Sequence, residues 1–256
     1  MTVQISRTKR VIGFIETHCR HTKGKWAGRP FKLLDWQRNL LTQLFGETEN
    51  GKRKYRFCYC EIPKKNGKSE LAAAIALYML CGDGEQGAEV YSAAADRNQA
   101  SLVFNVAVDM VRMDKILSKK LRVIPSRKQI HYPAKSGIYQ ALSHEVYTKH
   151  GINPSAIIFD ELHAQPNDEL WRVLTSGTDY AREQQIVFTI STAGVYDINS
   201  IWWRTREKAR QIAEGILDVP DFLPVLYIAD QEKDDPEDRE LWRRVNPSLG
   251  TIFSMR

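Results

Sequence analysis

Apolar residues fall into two kinds of run along this chain. Some recur at helical spacing. Val11, Ile12, Phe14 and Ile15 predict a short amphipathic helix within residues 8–20, Leu33 to Leu41 predicts a helix opening at Asp35, and residues 70–80 are a run of strong helix formers. Residues 96–113 predict a longer helix with Leu102, Val106 and Met110 on its apolar stripe, and residues 200–214 a further one led by Trp202 and Trp203. Other runs are short and continuous, as in buried strands: residues 56–62, 88–94, 155–161, 185–194 and 222–228.

Strand, helix, strand, helix in alternation is the grammar of an α/β fold, a mostly parallel sheet with helices on both faces. Between residues 121 and 142 the pattern changes to short β-rich pieces separated by Pro, Ser and Gly, expected as antiparallel additions to that sheet. Cys58 and Cys60 alternate with Phe57 and Tyr59, so the two cysteines share one strand face and are expected in the core.

The junction between the first strand and its helix carries chemistry. Residues Pro63-Lys64-Lys65-Asn66-Gly67-Lys68-Ser69 form a polar loop between a buried strand and a helix start. There, backbone N–H groups and the positive helix end can cradle phosphates, Lys68 can add a full charge near the β- and γ-phosphates, and the Ser69 hydroxyl can sit on Mg²⁺. This is a Walker A loop with one departure: Ile62 stands where the pattern has its first glycine. Gly-Lys-Ser also suits an ordinary basic turn, so a second motif has to decide.

Ser155-Ala156-Ile157-Ile158-Phe159-Asp160-Glu161 supplies it, as an apolar strand ending in two adjacent carboxylates. Such a strand places the pair where α/β sheets bind ligands. Asp160 fits a Walker B aspartate holding Mg²⁺ through its water shell, and Glu161 fits the residue that orients and polarises an attacking water. Downstream, Ser191 and Thr192 close another buried strand. They are expected beside the Walker strand, where a hydroxyl can report whether the γ-phosphate is present. Gln37, just upstream, can donate to and accept from an adenine edge through one side-chain amide. An ATPase using Mg²⁺ is the expected activity.

The bulk numbers narrow the setting. Composition is that of a soluble globular protein, the length suits one large domain or one with a small appendage, and the net charge of +6 with a pI near 9.1 suits an acidic partner such as a nucleic acid. Lys119, Lys120, Arg122, Arg127, Lys128 and Lys135 concentrate that charge; they fit either a DNA-tracking surface or a solvated sheet edge. No window approaches a membrane span and no apolar leader opens the chain, so an intracellular protein is expected. The His18-Cys19-Arg20-His21 cluster lacks a second ligand pair at zinc-finger spacing.

In order, Asp35-Trp36-Gln37, the loop from Pro63 to Ser69, Tyr91-Ser92-Ala93-Ala94, Gly151-Ile152-Asn153-Pro154-Ser155, Asp160-Glu161-Leu162-His163 and Ile190-Ser191-Thr192-Ala193-Gly194 resemble the large terminase subunit of tailed bacteriophages. That family is an ATP-driven motor that pumps viral DNA into a preformed capsid. The resemblance implies a P-loop NTPase fold of the ASCE type, with ATP and Mg²⁺ as cofactors and the host cytoplasm as setting. It implies double-stranded DNA, a ring of copies, the portal protein and the small terminase subunit as partners, and no membrane.

The resemblance also assigns roles. Gln37 is the adenine-side glutamine. Lys65, Asn66, Gly67, Lys68 and Ser69 form the nucleotide loop, Asp160 and Ser69 face the metal, Glu161 is catalytic, and Ser191 and Thr192 belong to the coupling motif. Lys64 stands where many relatives carry an arginine, a point charge in place of a planar fork. Lys149 and His150 lie where some relatives offer an arginine to the neighbouring subunit, and Arg182 is a further candidate for that trans role.

Residues 1–200 are then the ATPase domain, with a helical lead-in over 1–50, and 201–256 resemble a linker subdomain. The family's nuclease domain is not expected in this chain, nor is DNA cutting. A superfamily 2 helicase is the rival enzyme suggested by the Asp-Glu-Leu-His box, and a nucleotide-binding scaffold with little turnover is the rival from another class.

Overall fold

The computed structural model describes residues 6–46, 48–95, 97–142, 152–176, 182, 184–230 and 233–254, with the side chains of 97–100 left aside. Its centre is an eight-stranded sheet. In chain order the strands are β3 (Phe57–Glu61), β4 (Glu89–Ala93), β5 (Arg122–Ile124), β6 (Gln129–Tyr132), β7 (Gly137–Leu142), β8 (Ala156–Asp160), β9 (Ile186–Ser191) and β10 (Phe222–Leu226); β1 (Thr48–Glu49) and β2 (Lys52–Arg53) make a separate hairpin. Across the sheet the order is β10-β3-β9-β8-β4-β7-β6-β5. Every pair from β10 to β7 is parallel, and the pairs β7/β6 and β6/β5 are antiparallel.

The alternation along β3 explains its two faces. Cys58 and Cys60 pack into one core with Leu71, Ala74 and Ile75 of α3 (Lys68–Leu77), while Tyr59 points into the other with Phe159, Trp202 and Phe222. Helix α3 is buried on nearly all sides, as an Ala-rich helix wedged between a sheet and α4 (Arg97–Met113) must be. The opposite face carries α7 (Ile201–Ala213), which packs on β10 and β3. Ahead of the sheet, α1 (Arg7–His18) and α2 (Asp35–Leu41) form the helical lead-in, and α2 runs on into a π-helical turn over Thr42–Gly46. The shorter helices are α5 (Lys115–Lys120), α6 (Glu169–Thr175) and α8 (Arg239–Val245). Among the described residues no helix is long and apolar enough to cross a membrane.

Two expectations are corrected. Leu102 is half exposed, because α4 buries an arc through Val103, Phe104, Ala107, Met110 and Val111 that leaves Leu102 outside it. The strands between residues 121 and 142 are not all antiparallel additions: the left-handed turn at Ser136 (φ 53°) turns the chain back so that β7 runs parallel to β4. Beyond residue 200 the chain contributes β10 to the same sheet, beside β3 in parallel register, Phe222 opposite Phe57 and Leu226 opposite Glu61.

Candidate active site

All the strands that converge on the site point their C-terminal ends the same way. β3 leads into Ile62 and the Walker loop, β8 ends at Asp160, and β9 ends at Ser191, with β9 hydrogen-bonded between the other two. The register sets Glu61 beside Ser191 and Asp160 beside Ile190, and Ile62 donates its N–H to the Ser191 carbonyl at 3.0 Å. Ser191 and Thr192 thus lie at the end of the strand beside the Walker strand.

Ile62 accounts for the missing glycine. Its side chain is fully buried in the core, and it is not among the residues with positive φ. The turn is made further along the loop, by Lys65 (φ 72°) and Gly67 (φ 83°). At Gly67 the left-handed backbone disfavours any side chain, and a Cβ there would press on the Ile252 side chain at 3.2 Å.

Lys68, the first residue of α3, is buried, and its ammonium lies 3.3 Å from the Ile62 carbonyl and 3.4 Å from Glu161 Oε1. The Ser69 hydroxyl acts on Asp160 to favour its ionised form. Asp160 is buried with one carboxylate oxygen lacking any partner among the described residues, and burial followed by the neighbouring Glu161 charge pushes its pKa up to about 7. Glu161 holds a left-handed backbone (φ 55°), a conformation costly for a residue with a long side chain. Burial acts to raise its pKa, but the Lys68 charge, the Thr192 N–H and His163 outweigh it and hold the carboxyl below its ordinary range. Both the N–H and the hydroxyl of Thr192 donate to Glu161 Oε2 at 3.1 Å.

Beside the loop lies a cavity of about 1130 Å³ lined by Trp26, Phe31, Gln37, Gly67, Ser69 and Ile252 among others. Gln37 is fully buried: its Oε1 accepts the Leu34 N–H at 2.9 Å, and its Nε2 has no partner among the described residues. One half of that amide is therefore already engaged in capping α2, and the free half is a donor. Lys64 and Lys65 are exposed on the loop. The Asn66 side chain is spent elsewhere, donating to the Pro63 carbonyl and Asn246 Oδ1 at 3.1 Å and accepting the Ser248 N–H at 3.0 Å. Any contact of Asn66 with a nucleotide falls to its backbone.

Arg182 sits at the other end of the sheet. Its guanidinium reaches Glu85 at 2.5 Å and the carbonyls of Asn153 and Gly87 at 2.6 and 2.9 Å. Lys149 and His150 lie outside the described residues.

Two parts of the site are not evident from the sequence. His163 figures there only as the end of the Asp-Glu-Leu-His box, yet its ring nitrogen lies 3.2 Å from both Glu161 Oε2 and Ser191 Oγ. The segment Asn246 to Ile252 reads as part of a linker, yet it is docked on the Walker loop. The Trp202–Trp203 pair behaves as packing: Trp202 is buried, and both rings lie under the Arg206 guanidinium, which donates to Glu61 at 3.1 Å.

The family described as the terminase large subunit, ATPase domain, matches residues 35–211. The chain belongs to that terminase ATPase family. The terminase large subunit of Enterobacteria phage HK97 is 32% identical over 255 residues, covering 98% of this chain and 48% of that protein. The chain spans about half the length of this curated relative.

The crystal structure of the HK97 bacteriophage large terminase superposes with a TM-score of 0.82 at 29% identity, over 97% of this chain and 49% of that one. More distant terminases share the fold. A large terminase from a thermophilic bacteriophage, solved in complex with ADP, gives a TM-score of 0.52 at 18% identity, over 75% of this chain and 44% of that one. The ATPase domain of the Thermus phage P74-26 large terminase gives 0.51 at 16% identity, over 73% and 84%.

Proposed function

We propose that this chain binds Mg-ATP at the strand ends, hydrolyses it, and couples hydrolysis to translocation of double-stranded DNA into a viral procapsid. The observation that carries the hydrolytic reading is the convergence of Lys68, Asp160, Glu161 and Thr192 on one point, with Lys68 Nζ 3.4 Å from Glu161 and Thr192 Oγ1 3.1 Å from it on the other side. In-line transfer of a phosphoryl group to water needs positive charge on the γ-phosphate, a positioned base and an ordered cation. Lys68 supplies the first once its ammonium leaves Glu161 for the phosphates, and Glu161 Oε1, released by the same move, supplies the second.

Asp160 and Ser69 would hold Mg²⁺. Their fit rests on a buried carboxylate oxygen without a partner among the described residues and on the Ser69 hydroxyl that acts on the same carboxyl, oxygen donors of the type Mg²⁺ takes in ones and twos alongside phosphates and water. Bound there, the cation would neutralise charge developing on the phosphates. Gln37 Nε2 would donate to an acceptor on the base, in the cavity it lines. Lys64, exposed on the loop, is the cis candidate for a second charge on the γ-phosphate. Arg182, Lys149 and His150 are the trans candidates. For Arg182 that role requires release from Glu85.

The wider setting proposed is the host cytoplasm, a ring of copies around DNA, and the portal protein and small terminase subunit as partners. Support for it comes from family membership and from the likeness to the HK97 protein.

Steady-state ATP turnover measured against protein concentration, with Glu161→Gln as reference, tests the reading. Turnover lost by two orders of magnitude or more in the variant, with nucleotide binding kept, is the expected result. A rise steeper than linear with concentration would locate part of the site on a neighbouring copy. Equal turnover in both proteins would overturn the assignment.

A further inference from the structure

The hydrogen atoms around Glu161 can be assigned from their partners. Thr192 Oγ1 gives its hydrogen to Glu161 Oε2 at 3.1 Å, and Ser191 Oγ gives its own to the Thr192 carbonyl at 2.9 Å. The Nδ1 atom of His163 meets three oxygens: Glu161 Oε2 at 3.2 Å, Ser191 Oγ at 3.2 Å and Thr192 Oγ1 at 3.4 Å. The carboxylate has no hydrogen to offer, and the two hydroxyls have spent theirs. All three present lone pairs, so Nδ1 carries the hydrogen and donates.

The two oxygens of Glu161 therefore have different surroundings. Oε2 accepts from the Thr192 N–H and hydroxyl and lies 3.2 Å from the His163 ring nitrogen, which hydrogen-bonds Ser191 Oγ and Thr192 Oγ1, whereas Oε1 faces Lys68 at 3.4 Å. We propose that His163 is a positioning residue which, with Thr192, pins Oε2 of Glu161 and so reserves Oε1 for the attacking water. This inference rests on the hydrolytic role of Glu161 proposed above. His163 also makes the physical link between the carboxylate that ends β8 and the hydroxyls that end β9, so a shift of either strand end is felt by the catalytic group. Its ring is held from behind: a Cβ on Gly194 would lie 2.7 Å from the Cβ of His163 and 3.1 Å from the buried Trp202 ring. Only glycine at 194 lets the histidine approach this closely.

The test replaces the ring by amides that mimic one nitrogen at a time. In His163→Asn the side-chain N–H falls where Nδ1 was, in His163→Gln where Nε2 was, and His163→Ala has neither. Full-chain kcat and KM for ATP are measured for each, beside wild type and Glu161→Gln. A loosened base geometry costs on the order of tenfold to a hundredfold in rate. Accordingly kcat is expected to fall by about that factor in the Ala and Gln variants, with KM changed less than threefold, and to recover by at least half of the logarithmic loss in Asn. Gly194→Ala, which crowds His163 and removes no polar atom, is expected to lower kcat in the same way.

The proposal is overturned if His163→Ala keeps kcat within twofold of wild type while Glu161→Gln loses it, or if Asn fares no better than Gln. Equal turnover in wild type and Glu161→Gln would instead overturn the hydrolytic reading on which the proposal rests.

Discussion

The two ends of the central sheet use the same kinds of charge to opposite effect. At the N-terminal ends of the strands, Arg53 makes a two-bond pair with Asp83 at 2.8 and 3.0 Å and donates to the Gln184 carbonyl at 2.5 Å, and Arg182 is matched to Glu85. Arg7 adds bonds to Gln184 and the Gly51 carbonyl at 2.8 Å. These arginines tie the lead-in helix and the β1/β2 hairpin to the sheet. At the C-terminal ends one ammonium, Lys68, faces two adjacent acids, Asp160 keeps a partnerless oxygen, and Glu161 sits in left-handed backbone. The paired end has unmatched atoms of its own among the described residues, Arg53 Nε and Glu85 Oε2, so what marks the C-terminal end is the combination of two adjacent carboxylates, a buried lysine and left-handed backbone at one point.

The sharpest way to break the comparison is at the paired end. Arg53→Ala would leave Asp83 without its two-bond partner, expose the Gln184 carbonyl to an unmade bond and remove the guanidinium stacked 5.5 Å over Phe45. Removing one partner of a buried pair costs roughly 3–5 kcal/mol, and in a protein of this size each kcal/mol moves Tm by about 2–4 °C. A fall of about 10 °C is expected by thermal unfolding, with ATP turnover below the transition unaffected. Removing Asp83 as well should restore part of the loss. If Arg53→Ala abolishes turnover in folded protein, the paired end is part of the machine and the contrast fails.

The same logic reverses sign at the other end. Asp160, with its pKa pushed up to about 7 from an ordinary 3.8, holds its proton more tightly folded than unfolded. Its contribution is fully present below the unfolded value near 4 and is lost as the pH rises toward 7, because a buried carboxylate must then ionise. Asp160→Asn is therefore expected to raise Tm at pH 8 by several degrees, the shift being worth at most ~4 kcal/mol, and to flatten the pH dependence of Tm between 5 and 8. Turnover in Mg²⁺ should be lost. A variant less stable than wild type at pH 8 would show that the carboxylate is already compensated, and Asp160 would join the satisfied groups.

Much of this arrangement could be read along the chain, and the reason is local. β3, β8 and β9 are buried on both faces, so their apolar runs are continuous and end abruptly in polar residues at the points where chemistry sits. Gly67 and Lys68 follow from loop geometry alone. What escaped depends on contacts between distant residues. His163 gains its role only through the β8/β9 register, and nothing in the local pattern of 222–226 says that β10 will lie beside β3. The Leu34 bond that occupies Gln37 Oε1 is short-range, but its choice over a base contact is not legible from composition. Leu102 is misplaced because three apolar residues at helical spacing do not fix the centre of a wide buried arc.

The docking of the chain's later residues on the Walker loop is the extreme case, since Ser248 and Asn66 are 182 positions apart. Ser248 is fully buried. Its hydroxyl accepts from Trp36 Nε1 at 3.0 Å and donates to the Asn66 carbonyl at 3.2 Å, so one oxygen joins α2, the Walker loop and the segment after α8. Ser248→Ala leaves the nearly buried Trp36 donor and the Asn66 carbonyl unmatched, at about 1–3 kcal/mol. If the segment only covers the core, Tm falls by a few degrees and the kinetics stay as they were. If it holds the loop in its left-handed turn, KM for ATP rises severalfold while kcat at saturating ATP changes little, because the loop then has to be ordered by the nucleotide itself. The second outcome is expected, since Ile252 of the same segment closes on Gly67 and lines the cavity beside it. That result would extend the unfinished end of the sheet to include residues that no strand carries, and it would make the segment after α8 a participant in nucleotide binding.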